Sequence, residues 1–340
     1  MSRPDWIVIG SGVIGLSAAW ALAQGGQRVA VVEAGRIGEG TSPKAAGMLL
    51  PEVESVHHPE LAPMARESLA MYPSWVKTLE ELTGQDVGYG PIGCLALSEE
   101  ASFAKTWPGL AQVPFADLSR VQSGLSSDLA GCYLPEGAQV DPPRLMAALA
   151  AACRTVGVSL CENAPVAEIR RVADRWLGIT AGSERLVGGH YLLATGAWTA
   201  NLTPELDVDL GIFPVKGQMA ELTAPHDALG AILFGPGVYL SQKNDGRVLL
   251  GATSERVGFD LTVSEEAVAD LVRRASRLLA AVADWTIQRT WAGLRPGRDG
   301  LPVIEAISQN ALAAVGHYRN GILLAPLTAS RLTELAEQIA

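Results

Sequence analysis

The sequence predicts an α/β fold in which a parallel-sheet unit opens the chain. An antiparallel α+β unit is inserted into it, and the chain returns to the first unit at its end. Three observations carry this reading. Two apolar runs of strand length flank a helical pattern at the N-terminus. Strand-like segments then follow one another with little helix between them from residue 213 to 253. An amphipathic helix and a last strand–helix pair complete the pattern.

Each element follows from its residues. Trp6–Ile9 is wholly apolar and reads as a short buried strand. Ser11–Gly15 reads as a tight turn, Leu16–Gln24 as a helix, and Gly25-Gly26 as its end. Arg28–Glu33 is a second buried strand, which completes a β-turn-α-β unit. Ile37–Met48 is a loop of small and hydroxyl residues. Pro59–Leu82 places Met64, Leu69, Tyr72, Val76 and Leu79 at helical spacing, with Gly84 beyond its end. Tyr89–Leu97 reads as a strand, while Trp107–Leu129 carries no clear pattern.

Asp141-Pro-Pro-Arg144 combines an acidic cap with prolines in the first turn, so a helix is predicted from there to Arg154. Val158–Cys161 and Val166–Val172 read as strands, short β-like pieces continue to His190, and Tyr191–Gly196 is a strand ending at glycine. Phe213–Leu222, Ala231–Leu240 and Arg247–Thr253 are strands of a mostly antiparallel sheet. Ser264–Val282 is an amphipathic helix with Glu265 and Glu266 in its first turn. Ala311–Gly316 is the last strand and Leu324–Ile339 the last helix. The expected division assigns 1–80, 140–210 and 292–340 to a cofactor-binding domain, and 81–139 plus 211–291 to a substrate-binding domain.

Composition excludes several classes. The chain is 48% hydrophobic and 18% charged, a globular balance with enough length for a sizeable core. Its net charge of −10 and the lack of a Lys/Arg cluster argue against a nucleic-acid partner. Gly10, Gly12 and Gly15 interrupt the N-terminal apolar run, and Asp5 follows Arg3, so neither a membrane span nor a signal peptide is expected. Cys94, Cys132, Cys153 and Cys161 form no CxxC pair, which suits a reducing cytoplasm. The histidines (His57, His58, His190, His226, His317) are dispersed, so no metal site is expected.

Gly10-Ser-Gly12-Val13-Ile14-Gly15 matches G-x-G-x-x-G between a strand and a helix, and Glu33 ends the next strand 18 residues after Gly15. Gly10 permits the tight turn, Gly12 keeps a side chain away from a pyrophosphate, and Gly15 lets helix and strand pack closely. The helix N-terminus faces phosphate, and Glu33 accepts from ribose hydroxyls. A carboxylate there disfavours NADP, whereas NAD and FAD both remain compatible.

Further stretches make the reading specific. They are KAAGML (Lys44–Leu49), LLATGAW (Leu192–Trp198), PVKGQM (Pro214–Met219), AGLRPG (Ala292–Gly297) and GHYRNGILLAP (Gly316–Pro326). With GSGVIG they occur in the order found in the D-amino-acid-oxidase family of FAD enzymes, and the whole chain resembles that family, in particular its glycine-oxidase branch. The resemblance implies a Rossmann-like FAD domain of the glutathione-reductase type, interleaved with an antiparallel-sheet substrate domain. It implies an extended, non-covalent FAD, since no cysteine lies beyond Cys161 to tether it. By resemblance Gly10, Gly12, Val13, Ile14, Gly15, Glu33, Ala34 and Arg36 serve the ADP half, and the backbone of Val166 meets the adenine. Thr41, Ser42, Ala45, Ala46, Gly47 and Met48 line the ribityl chain and flavin, as do Ala194, Thr195, Gly196 and Trp198. Arg295, His317, Tyr318, Arg319, Asn320, Gly321, Ile322 and Leu323 lie about the ring.

Oxidation of an amino acid at a flavin moves a hydride from Cα to N5, and the protein's main task is to position the substrate. A planar guanidinium suits the α-carboxylate. The resemblance gives that role to Arg295, in what reads as a fixed loop, with Tyr239 donating its hydroxyl and Arg319 close by. A structural salt bridge is the competing reading of Arg295. The implied reaction converts glycine, or a small or N-substituted amino acid, to an imine that hydrolyses to a 2-oxo acid such as glyoxylate and an amine. O2 is the expected acceptor and becomes H2O2. The alternative is an FAD-dependent dehydrogenase of a 2-hydroxy or imino acid that feeds a quinone or protein acceptor. Lys44 departs from the small residues common at its position, and Arg298 would add a second cation near the clamp. Leu49–Ser55 and Gly235–Tyr239 are expected to wall the substrate. A homo-oligomer accords with the family.

Overall fold

The computed structural model describes all residues except 1, 2, 57, 203–205, 207 and 340, so His57 lies outside the described residues. A six-stranded sheet forms the centre of one half. Its strands run in the order Val303–Ser308, Ala311–Val315, His190–Leu193, Trp6–Ile9, Val29–Val32, Ser159–Cys161. All neighbours are parallel except the first pair. Trp6–Ile9 lies in the middle and is buried throughout, which explains a run with no polar residue. Alternation splits it between two cores. Val8 packs with the helices Val13–Gln24, Ala62–Thr83, Pro142–Thr155 and Gly321–Ile339. Ile7 and Ile9 meet Ile169, Trp176 and Ile179 of a three-stranded antiparallel sheet on the other face.

The second half is built on a seven-stranded sheet. Its order is Thr286–Gly297, Phe213–Thr223, Val248–Gly251, Val238–Gln242, Ile232–Gly235, Cys94–Glu99, Leu129–Leu134. Only Ile232–Gly235 and Cys94–Glu99 pair in parallel. The helix Glu265–Leu278 covers one face with Val268, Leu271, Ala275 and Leu278, as its amphipathic pattern requires. Ser264 caps it by accepting from the Ala267 amide.

Several elements differ from expectation, each for a local reason. The first helix starts at Val13 and not Leu16, because Gly12 already serves as its N-cap. Ala231–Leu240 is a hairpin, not one strand. Pro236-Gly237 turns it, with Gly237 at φ +66. Tyr89–Leu97 breaks at Gly93 (φ +72) into Gly90–Pro91 and Cys94–Glu99. The patternless stretch holds the short helix Phe115–Val121, which buries only Leu118 and so shows no periodicity. Trp291–Gly297 is not a loop. It is the second half of a 12-residue strand paired along its length with Phe213–Thr223, with Val215 opposite Arg295. Residues 292–297 therefore belong to the seven-stranded sheet.

The predicted cap at Asp141 is present. Its Oδ1 accepts from the Arg144 amide, and its Oδ2 pairs with Arg247 of the other half. The side chain is 5% exposed, so this carboxylate both starts a helix and joins the two halves. Asp141→Ala removes the cap and leaves Arg247 without that partner. It should cost about 2–4 kcal/mol, read as a lower midpoint in urea at saturating FAD. A midpoint unchanged within error would contradict this.

Candidate active site

The glycine fingerprint is built as its chemistry requires. Gly10 sits at φ +101, and a Cβ there would lie 2.5 Å from the Ala194 carbonyl oxygen. A Cβ on Gly15 would lie 2.0 Å from the Gly10 carbonyl oxygen, so Gly15 is needed for helix–turn packing. Gly12 is different. Its Cβ would meet only Ser42 Oγ, at 3.4 Å. No packing constraint demands glycine at 12, which leaves open space beside the helix N-terminus as its purpose. Ser42 Oγ accepts from the Val13 amide at 2.9 Å. Glu33 accepts from the Ser11 amide and hydroxyl at 2.9 and 2.7 Å and from the Gly35 amide at 3.0 Å, which fixes its carboxylate at the end of the second strand.

These groups open onto a cleft of about 740 Å³ that continues to Arg295. The fingerprint from Gly10 to Ile14 lines it, with Glu33, Ala34 and Arg36 at one end and Val166 beside them. Thr41, Ser42, Ala45, Ala46, Gly47 and Met48 line its length, as do Ala194, Thr195, Gly196 and Trp198. His317, Tyr318, Arg319, Gly321 and Ile322 come from the C-terminal motif. Three expected residues do not reach it. Gly15 faces the Gly10 carbonyl instead. Leu323 is 2% exposed on the core face of the last helix. Asn320 is buried behind the turn, where its backbone N–H donates to the His317 carbonyl.

The far end is assembled by strand alternation. On Phe213–Thr223, Gly217 and Met219 face the cleft. Lys216 and Gln218 face the other way and hold the 253–264 segment, through Asp260 and Glu255 respectively. A Cβ on Gly217 would lie 2.2 Å from Arg295 Nη2, so the glycine of PVKGQM makes room for the guanidinium. Arg295 Nη1 donates to the Thr253 carbonyl at 2.9 Å. No carboxylate among the described residues pairs with Arg295, which rules out the salt-bridge reading. Burial lowers its pKa, yet a guanidinium keeps its proton. Tyr239 is buried beside it, its hydroxyl against Met219 Sδ at 3.5 Å. Gly251 across the sheet leaves the space that the phenol fills. Burial raises the Tyr239 pKa, so it is a neutral donor.

Arg319 also lines this end, but it is already paired. Its Nε and Nη2 donate to Glu54 at 2.9 and 3.0 Å. The Tyr318 amide donates to the Pro296 carbonyl, which fastens the C-terminal turn beside Arg295. Of the expected walls, only Glu54 from Leu49–Ser55 and Tyr239 from Gly235–Tyr239 reach the cleft. Arg298 does not act as a second cation there, because its guanidinium donates to the Leu210 and Leu301 carbonyls. Lys44 does line the cleft, with its stem against Gly293. His317 is buried against Thr328, and desolvation takes its pKa down to about 3, so the ring is neutral.

Sequence reasoning missed Lys243. It is 4% exposed, and its ammonium donates to the Ala46 carbonyl at 2.6 Å, Gln139 Oε1 at 2.9 Å and the Val140 carbonyl at 2.9 Å. It ties the cleft loop to the seven-stranded sheet, and it follows the strand Val238–Gln242 with no pattern that marks its role. Thr41 Oγ1 to Leu294 and Trp291 Nε1 to Lys44 add two more ties.

A nucleotide fingerprint on a parallel sheet, opening onto a cleft that ends at an arginine of an antiparallel sheet, defines a two-unit, cofactor-dependent oxidoreductase. The family model described as FAD dependent oxidoreductase matches residues 5–335, and the chain belongs to that family. It is similar to glycine oxidase of Geobacillus kaustophilus, 35% identical over 99% of this chain and 93% of that protein. The crystal structure of glycine oxidase from that organism superposes with a TM-score of 0.93, covering 99% of this chain and 95% of the other at 33% identity. The bifunctional protein ThiO/ThiG of Synechocystis sp. is 35% identical over 97% of this chain. The chain spans about half the length of such bifunctional relatives.

The protein is thus a flavin-dependent oxidoreductase, and the cleft fits FAD. Its lining runs from the Glu33 carboxylate, suited to a ribose, past the open helix N-terminus at Gly12 to Arg295. Gly12→Ala tests the open space at the helix N-terminus. The substitution should keep FAD-free stability within about 1 kcal/mol while purified protein loses most of its FAD. Full FAD content in the variant would contradict the assignment.

Proposed function

We propose that the protein oxidises glycine, or a small or N-substituted α-amino acid, to the imine. The imine hydrolyses to a 2-oxo acid and an amine, and O2 is reduced to H2O2. For glycine the balance is glycine, O2 and water to glyoxylate, ammonia and H2O2. One observation carries the reading: Arg295 is a guanidinium with no carboxylate of its own in the cleft that begins at the nucleotide fingerprint. Leaving such a charge unopposed is costly, so the end is complementary to an anion. The similarity to glycine oxidases supports an amino acid as the source of that anion.

The roles follow from the contacts. Arg295 clamps the α-carboxylate, and the neutral Tyr239 hydroxyl donates to the same group. Bound FAD supplies the electron-pair acceptor. Met219, Tyr239 and Gly217 shape the wall on the seven-stranded sheet. The three ties on the 41–48 loop hold the cleft's other side in place, so that the substrate's Cα is presented in one orientation. Glu54 is engaged with Arg319, and buried His317, with its pKa held down to about 3, is a poor base. No strong base is needed if the amine binds neutral.

Arg295→Leu should retain FAD and raise KM strongly, with a loss of about 2–4 kcal/mol in kcat/KM. The check is peroxide release on glycine, N-methylglycine and D-alanine. A variant with unchanged kcat/KM would place the carboxylate elsewhere.

A further inference from the structure

Two guanidinium groups line the substrate end, and they differ in one respect. Arg295 faces it without a carboxylate partner among the described residues, whereas Arg319 meets Glu54 in a two-point pair at 2.9 and 3.0 Å. With Glu54 absent, that end would present two positive forks, an arrangement suited to substrates with two anionic groups. We propose that Glu54 is a specificity-determining residue. It neutralises Arg319, leaves Arg295 as the guanidinium there without a paired carboxylate among the described residues, and so restricts the enzyme to substrates with one carboxylate and an uncharged remainder. This rests on the reading of Arg295 as a carboxylate clamp.

The pair is built into the fold. Glu54 ends the short helix Pro51–Glu54, whose Leu50 and Val53 neighbours are buried in the core beneath the cleft. On its outer side Glu52 pairs with Arg66 at 2.7 Å, and Ser55 Oγ donates to the Pro51 carbonyl at 2.6 Å. The Glu54 side chain is 9% exposed, so bulk solvent does little to screen it. The Arg319 side chain is 34% exposed and has further contacts. Its guanidinium carbon lies 5.7 Å from the centre of the Phe234 ring. Tyr318, next to it, adopts φ +49, a conformation unusual for tyrosine, and is fastened to Pro296 through its amide. For either partner to admit a second anion, both hydrogen bonds of the pair must break. A dianionic substrate would meet an occupied arginine and, beside it, a fixed negative charge. Selection thus works partly by repulsion.

N-methylglycine and iminodiacetate share the same reacting carbon and amine and differ by one carboxylate. The test compares their kcat/KM ratio in wild type, Glu54→Gln and Glu54→Asp. In parallel, binding of acetate and of malonate is followed through the flavin absorption spectrum. Glu54→Gln should raise the iminodiacetate-to-N-methylglycine ratio, and malonate binding relative to acetate, by about tenfold or more. Glu54→Asp, which keeps the charge, should stay near the wild-type ratios. Should Glu54→Gln fail to hold FAD, Arg319→Gln reads the same filter with the opposite sign. An unpaired Glu54 should then depress malonate relative to acetate. Ratios unmoved in a variant that still binds acetate would overturn the proposal. If wild type turns over no amino acid, the proposed reaction fails, yet the acetate–malonate comparison still decides the role of Glu54.

Discussion

A positive charge placed in a cleft without a negative partner organises this molecule. Arg295 donates to a backbone carbonyl but meets no carboxylate among the described residues. Withdrawing an ion from water is unfavourable unless something replaces the water. The surrounding residues avoid supplying that replacement from within. Glu54, the acid that reaches the same end, is spent on Arg319. Tyr239 is neutral, and Gly217 clears the space the guanidinium needs. The unfilled requirement is for an external anion.

Two sheets must hold their register for that charge to face the flavin region. The parallel sheet places the fingerprint and Glu33 at its strand ends, and the antiparallel sheet places Arg295 opposite Val215 on its longest pair of strands. Asp141 and Lys243 are buried polar groups that cross between the halves. Each is satisfied by partners from both sides, the condition under which buried charge adds specificity and not only cost. The 41–48 loop is the shared wall. Its Ala46 and Lys44 carbonyls accept from Lys243 and Trp291, and its Thr41 hydroxyl donates to the Leu294 carbonyl.

Much of this was legible in the residues. The first strand, the cap at Asp141 and the long C-terminal helix follow from local patterns, because burial and capping act over a few residues. The fingerprint could be read to the level of which glycine does what, and the geometry separates Gly15 as packing from Gly12 as open space. What could not be read depends on pairing across the chain. AGLRPG looks like a loop by its glycines and proline, but six residues of partner strand, Phe213 to Gln218, hold it extended. Arg298 looks like a second cation until Leu210 and Leu301, distant or off-pattern, take its donors. Glu54 and Lys243 carry no local signature at all, since their meaning lies in Arg319 and in the Ala46 carbonyl.

On the proposed reading of Arg295, the FAD of this enzyme is reduced by an amino acid held through one carboxylate. Anaerobic addition of glycine or N-methylglycine to the FAD-loaded protein tests this directly. The visible flavin absorption should bleach with the amino acid and return when O2 is admitted, with one H2O2 formed for each flavin reoxidised. A flavin that stays oxidised with every amino acid, and bleaches instead with a 2-hydroxy acid, would contradict it.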